Sequence, residues 1–345
     1  MSAGNELLVI DGLDVSYQLR KTSPFSFGLT EFKAVRGVSL ALGRGTVTAL
    51  VGESGSGKST IARAICGFAK FKGSISLNGQ ELKGATGRQR RDLARSLQMV
   101  FQDPYSSLDP TMTIGDCIQE PLVVQTKLTR QEREKRVEEL LAAVNLPSSM
   151  AERYPSQLSG GQRQRVAIAR ALALEPDLLI CDEAVSSLDV SNQTLVVKLL
   201  KDLVAEMGVG CIFITHDLTL ARFIADRVAV LYLGELVEEG PAEEIFRNPA
   251  HPYTAGLLGA IPVPNPRLQR QRRRQVVEGE PPSALSRPSG CPFHPRCPHA
   301  MDICKSVNPE VTALRTGRRV RCHLESTGQS LRGDANTLPR SSECD

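Results

Sequence analysis

The stretch VTALVGESGSGKST, residues 47–60, decides the fold. Val47–Val51 is a short run of apolar residues and one threonine, which is typical of a buried parallel strand, and a glycine follows it. Gly52–Ser59 then has the spacing G-x-x-x-x-G-K-S of a phosphate-binding loop. Glycines let successive backbone N–H groups approach phosphate oxygens, and a helix over Ser59–Phe68 would direct its positive end at the same anion. The sequence therefore predicts an α/β domain that binds a nucleotide.

The composition is that of an ordinary globular chain, but its charge is unevenly distributed. The 345 residues are 41% hydrophobic and 23% charged, which excludes collagen-like, wholly disordered and small disulfide-rich classes. Residues 260–345 hold 14 Lys and Arg against 8 Asp and Glu, so the C-terminal quarter is basic and the remainder slightly acidic. We find no signal peptide and no apolar run near the roughly 20 residues that span a bilayer. We therefore expect a cytosolic chain with reduced cysteines.

A second apolar run ends in two carboxylates. Leu178–Cys181 reads LLIC, and Asp182 and Glu183 come directly after it. A carboxylate at the end of such a strand suits Mg²⁺, and the next one is placed to polarise an attacking water as a general base. Cys211–Thr215 is a further buried-strand candidate.

Helical sequence separates the first two strands. Residues 103–165 are expected to form an inserted helical subdomain, in which Thr129 and Glu132 fit a capping box. One apolar face follows at helical spacing, made by Val137, Leu140, Leu141 and Val144. After a domain over 5–260, we expect a Pro/Arg-rich linker over 261–290, a cysteine-bearing extension over 291–325 and a disordered tail over 326–345.

The segment Leu158–Gln162, LSGGQ, makes the prediction specific. It resembles the signature motif of ATP-binding cassette (ABC) ATPases, and other motifs of that family occur in order over residues 5–260. They are Tyr17 for the adenine-stacking loop, Gln102 for the Q-loop, Ser186–Asp189 for the D-loop and His216 for the switch histidine. The resemblance implies a P-loop NTPase fold with a RecA-like core, an antiparallel β subdomain and an inserted helical subdomain, with a small cysteine-containing extension at the C-terminus.

The resemblance also implies the site residues. Glu183, His216 and Gln102 would be catalytic, and Ser59, Gln102 and Asp182 would hold Mg²⁺. ATP would contact Tyr17, Gly52, Glu53, Ser54, Gly55, Ser56, Gly57, Lys58, Ser59, Thr60, Ser159, Gly160, Gly161, Gln162 and Asp189. In this family two cassettes sandwich two ATP molecules, so the phosphate loop of one would face the signature motif of the other.

Four segments resemble the dipeptide/oligopeptide/nickel importer group, and the long stretch between Tyr17 and Val35 resembles the F-type subunit of such importers. The four segments are residues 102–110 (QDPYSSLDP), 152–155 (ERYP), 251–254 (HPYT) and the cysteine-bearing extension. The resemblance implies ATP-driven peptide uptake with two permeases, a second ATPase of the D-type and an extracytoplasmic binding protein, at the cytoplasmic face of the bacterial inner membrane and without nucleic acid. Alternatives are a nickel or metal-chelate importer, a glutathione importer, and a non-transport ABC ATPase acting on nucleic acid or the ribosome.

The extension carries four cysteines with the spacing C-x5-C-x6-C-x17-C: Cys291, Cys297, Cys304 and Cys322. Four thiolates suit zinc or an iron–sulfur cluster, and the absence of a C-x2-C pair argues against common zinc ribbons. The resemblance implies [4Fe–4S]. Zinc, with His294, His299 or His323 substituting, and unliganded thiols remain open. The arginine cluster at Arg270–Arg274 is interpreted as part of a solvated linker, in preference to a site that contacts anionic lipid.

Overall fold

The computed structural model describes residues 6–20, 29–103, 107–261, 277, 279–280, 282–283, 285–314, 317–328 and 331. Most of the predicted linker, including Arg270–Arg274, most of the tail and Cys344 lie outside these residues. Two compact units divide the chain. The first comprises 1–11, 39–48 and 62–215, and the second comprises 12–38, 49–61 and 216–345.

The elements have the following bounds. The strands are β1 (Glu6–Arg20), β2 (Leu29–Gly43), β3 (Val47–Val51), β4 (Lys72–Leu77), β5 (Gln80–Glu81), β6 (Leu97–Val100), β7 (Leu178–Asp182), β8 (Gly210–Ile214), β9 (Arg227–Tyr232), β10 (Glu235–Pro241), β11 (Thr312–Ala313) and β12 (Arg319–Val320). The α-helices are α1 (Lys58–Ile65), α2 (Gly87–Ser96), α3 (Ile114–Gln125), α4 (Arg130–Ala143), α5 (Gly160–Leu172), α6 (Val190–Met207), α7 (Leu218–Ile224), α8 (Ala242–Arg247), α9 (Pro252–Gly259), α10 (Asp302–Ser306) and α11 (His323–Ser326). Among the described helices, none has the length and hydropathy to cross a membrane.

Parallel strands form the centre of the first unit. β7 lies between β6 and β8, with Leu178 of β7 opposite Leu97 and Gly210. Every residue of β7 and β8 is buried, as their apolar runs predict. Three predicted strands are therefore confirmed: β3 has the predicted bounds, β7 gains Asp182, and β8 is displaced by one residue.

Helices α3, α4 and α5 pack together in the first unit. The capping box predicted at the start of α4 is present, because Thr129 accepts from the Glu132 N–H and the Glu132 side chain accepts from the Thr129 N–H. The predicted apolar face is buried, with Val137, Leu140, Leu141 and Val144 between 0 and 4% exposed. Amphipathic spacing therefore predicts this helix correctly.

The second unit contains an antiparallel arrangement in the order β11-β12-β10-β9, with Ala49–Val51 of β3 next to β9. β9 and β10 form a hairpin in which Tyr232 faces Glu235. The C-terminal extension contributes β11 and β12, and Val320 of β12 pairs with Glu238 of β10. The extension is thus hydrogen-bonded into a sheet of the second unit.

Helix α1 is shorter than the predicted Ser59–Phe68. It ends at Ile65 because Gly67 has a left-handed backbone (φ 75°), and the Phe68 N–H turns back to the Arg63 carbonyl at 2.7 Å. The prediction of a helix directly after the glycine-rich loop is confirmed, and its C-terminal bound was wrong.

Candidate nucleotide-binding site

The loop Gly52–Ser59 has a backbone that its glycines make possible. Gly52, Gly55 and Gly57 all have positive φ, at 150°, 75° and 105°. A Cβ at Gly57 would lie 2.7 Å from the Ala34 carbonyl oxygen, and one at Gly52 would overlap the Leu231 carbonyl. Side chains at these two positions would therefore displace backbone that packs against the loop.

The Lys58 side chain hydrogen-bonds to backbone carbonyls of the loop. It is 5% exposed, and Nζ donates to the Gly52 carbonyl at 2.8 Å and to the Glu53 carbonyl at 3.0 Å. The Ser56 carbonyl accepts from the Gly234 N–H at 3.0 Å. The Ser56 hydroxyl is buried and has no hydrogen-bond partner among the residues that the structure describes. A cationic group and an unpaired hydroxyl thus stand inside a loop shaped for an anion.

In the first unit, the carboxyl end of β7 presents the two predicted carboxylates. Asp182 is 8% exposed and Glu183 is half-buried. Glu183 has φ 48°, a left-handed backbone that is costly for a non-glycine residue, and its N–H donates to the Ile214 carbonyl at 3.0 Å. Such strain is concentrated at functional sites. The Gln102 amide donates to Glu183 Oε2 at 3.0 Å, so the structure brings these two predicted residues together.

The signature motif forms the exposed N-terminus of α5. Ser159 is the N-cap: its hydroxyl accepts from the Gln162 N–H at 3.3 Å, and the Gln162 side chain accepts from the Ser159 N–H at 3.0 Å. A Cβ at Gly161 would lie 3.3 Å from the Asn192 side chain, so glycine lets α5 approach α6. A capped helix end of this kind can bind an anion beside its serine.

The remaining predicted contacts lie at ends of elements or on strands. Asp189 is the N-cap of α6, and the N–H of Asn192 holds the pKa of its carboxyl below the usual value. His216 is exposed and precedes Asp217, which caps α7. Tyr17 is half-buried on β1, and Thr60 lies in the first turn of α1.

The four cysteines of the extension line one small cavity. Around it also stand Pro252, Phe293, Met301, Leu324 and the histidines His251, His294, His299 and His323. Burial raises the pKa of Cys297 to about 11 and that of Cys322 to about 12. Soft thiol and imidazole donors suit zinc or iron. However, among the residues that the structure describes, no three His, Cys, Asp or Glu side chains are arranged to hold a metal ion. The prediction of an iron–sulfur or zinc site therefore has no support in this arrangement.

Sequence reasoning missed a contact between the extension and the phosphate loop. The Arg296 guanidinium pairs with the Glu53 carboxylate through two bonds of 2.8 and 2.9 Å. The Tyr253 hydroxyl accepts from the Glu53 N–H at 2.9 Å. The motif HPYT singled out Tyr253 only as a mark of a family branch, and nothing in the spacing of Glu53 and Arg296, 243 positions apart, indicated their pairing.

Comparison with known proteins decides the family. Residues 35–186 match the ABC transporter family, and residues 237–304 match the oligopeptide/dipeptide transporter C-terminal region. The oligopeptide transport ATP-binding protein OppF of Salmonella typhimurium is 47% identical over 306 residues, covering 88% of this chain and 92% of OppF. The chain belongs to the ATP-binding subunits of ABC transporters.

Other relatives agree with this assignment. AppF of Bacillus subtilis, an oligopeptide transport ATP-binding protein, is 44% identical over 329 residues, which is 94% of this chain and all of AppF. The dimeric, post-hydrolysis cassette MJ0796 bound to ADP and Pi superposes with a TM-score of 0.60 at 30% identity, over 68% of this chain and 98% of that one. The predicted fold and ATP hydrolysis as the activity of this ABC subunit are therefore confirmed.

Proposed function

We propose that this ABC subunit hydrolyses ATP to drive the uptake of peptides across a bacterial inner membrane. The observation that carries this proposal is the loop Gly52–Ser59 with its buried Lys58. It occurs in a chain that matches relatives named for oligopeptide transport over nearly their whole length. Two transmembrane permeases and a second ATPase, of the D-type, complete the assembly, and this chain lies at the cytoplasmic face of that membrane. An extracytoplasmic binding protein delivers the peptide.

Glu183 acts as the general base in this proposal. A water attacks the γ-phosphorus, the bond to the β–γ bridging oxygen breaks, and the Glu183 carboxylate accepts the proton of the water. Gln102 orients that carboxylate through its 3.0 Å hydrogen bond. Glu183 has a left-handed backbone, a strained conformation of the kind that is concentrated at functional sites.

The oxygen donors proposed for Mg²⁺ match its chemistry. Ser59 offers a hydroxyl, Gln102 an amide oxygen and Asp182 a carboxylate, and Mg²⁺ prefers such hard ligands while keeping several waters. When bound, the ion neutralises charge that develops on the phosphate oxygens. His216 contacts the γ-phosphate in the same scheme.

Two cassettes complete each site. The exposed end of α5, with Ser159 as its cap, would close over the γ-phosphate held by the phosphate loop of the partner cassette. One chain therefore supplies two half-sites and needs a second cassette to hydrolyse ATP.

An exposed apolar groove of the first unit is the proposed contact with a permease. Phe68 and Phe101 line it and are 69% and 46% exposed. Large exposed apolar side chains in one groove mark an interaction site. Phe101 precedes Gln102, so a permease segment seated there would reach the residue that holds Glu183. We expect Phe68→Ser to abolish co-purification with the permeases, and Leu285→Ser, at a similarly exposed side chain, to retain it.

Deletion of the gene tests which solute the transporter carries. We expect the deletion strain to lose growth on di- and oligopeptides as the amino-acid source, and the natural gene to restore it. Loss of nickel-dependent or glutathione-dependent growth with normal peptide use would favour the alternative importers. Normal uptake of every solute with defective translation would contradict import and favour the non-transport alternative.

A metal in the cysteine cavity is a separate proposal, which rests on the donor chemistry of Cys291, Cys297, Cys304 and Cys322 alone. Anaerobic purification followed by an absorption spectrum and iron and zinc analysis decides it. Four iron atoms per chain with a broad visible absorption would support [4Fe–4S], and stoichiometric zinc would support the alternative. A colourless, metal-free protein would contradict both.

A further inference from the structure

The C-terminal extension reaches the phosphate loop through one arginine. Arg296 ends a short 3-10 turn, His294–Arg296, and its two terminal nitrogens bind the two carboxylate oxygens of Glu53. The Arg296 side chain is 6% exposed and that of Glu53 is 26% exposed. A two-bond pair of this kind fixes orientation as well as distance, which a single ammonium group could not do.

Aromatic packing holds Arg296 in place. Phe293, three residues earlier, is 1% exposed. Its ring lies edge-on to that of Tyr232, with centroids 5.3 Å apart, and is tilted against that of Tyr253, with centroids 5.4 Å apart. Tyr253 in turn accepts the hydrogen bond from the Glu53 N–H. The side chain and the backbone of Glu53 are therefore both held by residues from the C-terminal part of the chain.

The pair also reduces electrostatic repulsion between Glu53 and the phosphates of ATP. Glu53 places a carboxylate in a loop that must bind the polyanionic phosphates of ATP, and like charges at such distances repel. The Arg296 guanidinium neutralises that carboxylate in a partly buried setting, where screening by solvent is weak. The guanidinium donates both hydrogen bonds to that carboxylate, so the two charges are held in direct contact.

We propose that Arg296 is a positioning residue of the ATP site, which orients and neutralises Glu53 so that the phosphate loop can accept ATP. The extension is then a working part of the nucleotide site as well as a feature of the oligopeptide branch. Arg296 acts through Glu53 and does not contact the nucleotide. This role goes beyond ATP-driven peptide import and does not depend on which solute is carried.

Fluorescent-nucleotide binding to the full chain, and steady-state hydrolysis by the full chain together with its partner ATPase, test the proposal. In Arg296→Gln the Glu53 carboxylate loses its partner, and we expect ATP to bind about tenfold more weakly, with KM raised and kcat little changed. In the double variant Arg296→Gln with Glu53→Gln the repelling charge is gone, and we expect affinity within about threefold of the natural chain. Arg296→Lys keeps the charge without the paired geometry and should fall between.

Arg319→Gln is the matched control, because Arg319 is also an extension arginine paired with a cassette glutamate, Glu239 of β10. We expect it to bind ATP normally. Unchanged affinity in Arg296→Gln would overturn the proposal, and so would equal weakening in the single and double variants. If Arg296→Gln does not fold, Arg296→Lys decides: a loss of about threefold supports positioning, and natural affinity overturns it.

Discussion

At the scale of single residues, the proposed base Glu183 has an unusual backbone and a defined hydrogen-bond partner. Its backbone is left-handed (φ 48°), it stands at the end of a buried strand, and Gln102 holds its carboxylate. Strain of this kind persists only where the surroundings impose it. An apolar run ending in two acids predicted the position of Glu183 from the sequence, whereas its backbone geometry and its contact with Gln102 needed the fold.

Replacing Glu183 by Gln should stop turnover without stopping binding. The amide cannot accept a proton from water, so we expect kcat to fall by a factor of at least about one hundred, while ATP stays bound. Size-exclusion chromatography with ATP should then show a trapped closed dimer of cassettes.

Glu175→Gln is the matched control. Glu175 is also an acid with a left-handed backbone (φ 53°), but it pairs with Arg136 at the surface. We expect near-natural hydrolysis from it. Near-natural hydrolysis from Glu183→Gln would contradict the assignment of the base.

At the scale of elements, the phosphate loop depends on how its glycines are surrounded. A Cβ at Gly57 would lie 2.7 Å from the Ala34 carbonyl, whereas a Cβ at Gly55 meets nothing within 4 Å. Both glycines have positive φ, so alanine is strained by about 1 kcal/mol at either position. Only Gly57→Ala also displaces backbone.

We therefore expect Gly57→Ala to lose ATP binding and Gly55→Ala to keep most of it. Isothermal titration with ATP measures the difference, and thermal unfolding shows whether each variant is folded. Equal losses in the two variants would mean that close packing against Ala34 does not shape the loop.

A comparison of two capping boxes distinguishes an effect on helix stability from an effect on ATP hydrolysis. Ser159 caps α5 and Thr129 caps α4 in the same way. Removing either hydroxyl by substitution with Ala should lower the free energy of unfolding by about 1 kcal/mol. Of the two variants, we expect only Ser159→Ala to reduce hydrolysis, because in the proposed assembly α5, and not α4, presents its end to a partner's ATP.

Urea unfolding and ATPase rates of the two capping variants make the comparison. Natural hydrolysis in Ser159→Ala would contradict the role of the signature motif. Equal loss of hydrolysis in Thr129→Ala would show that the effect comes from stability alone.

Elements with strong local signals were the ones that the sequence predicted. Continuous apolar runs marked β3, β7 and β8, and the Thr129 capping box marked the start of α4. The strands β11 and β12 have two residues each, too few for any periodic pattern, and they form because β10 offers a partner. Likewise, the pairing of Arg296 with Glu53 depends on the fold and leaves no trace in local spacing.

At the scale of the whole molecule, the chain matches its relatives over most of their length. It covers 92% of OppF of Salmonella typhimurium and all of AppF of Bacillus subtilis, including the C-terminal region matched over 237–304. The match to the oligopeptide/dipeptide transporter C-terminal region therefore extends into the basic C-terminal quarter. Its extension joins a sheet of the second unit and reaches Glu53, so deleting it would remove a support of the phosphate loop.

The most direct test of the account is peptide uptake into proteoliposomes that contain the permeases, the partner ATPase and this chain. The cassettes face the lumen, and the binding protein and peptide are added to the outer solution. With ATP supplied on the cassette side, we predict peptide accumulation with the natural chain and with Glu175→Gln, and none with Glu183→Gln. Accumulation that persists with Glu183→Gln, or ATP hydrolysis by the natural chain that moves no peptide, would contradict the account.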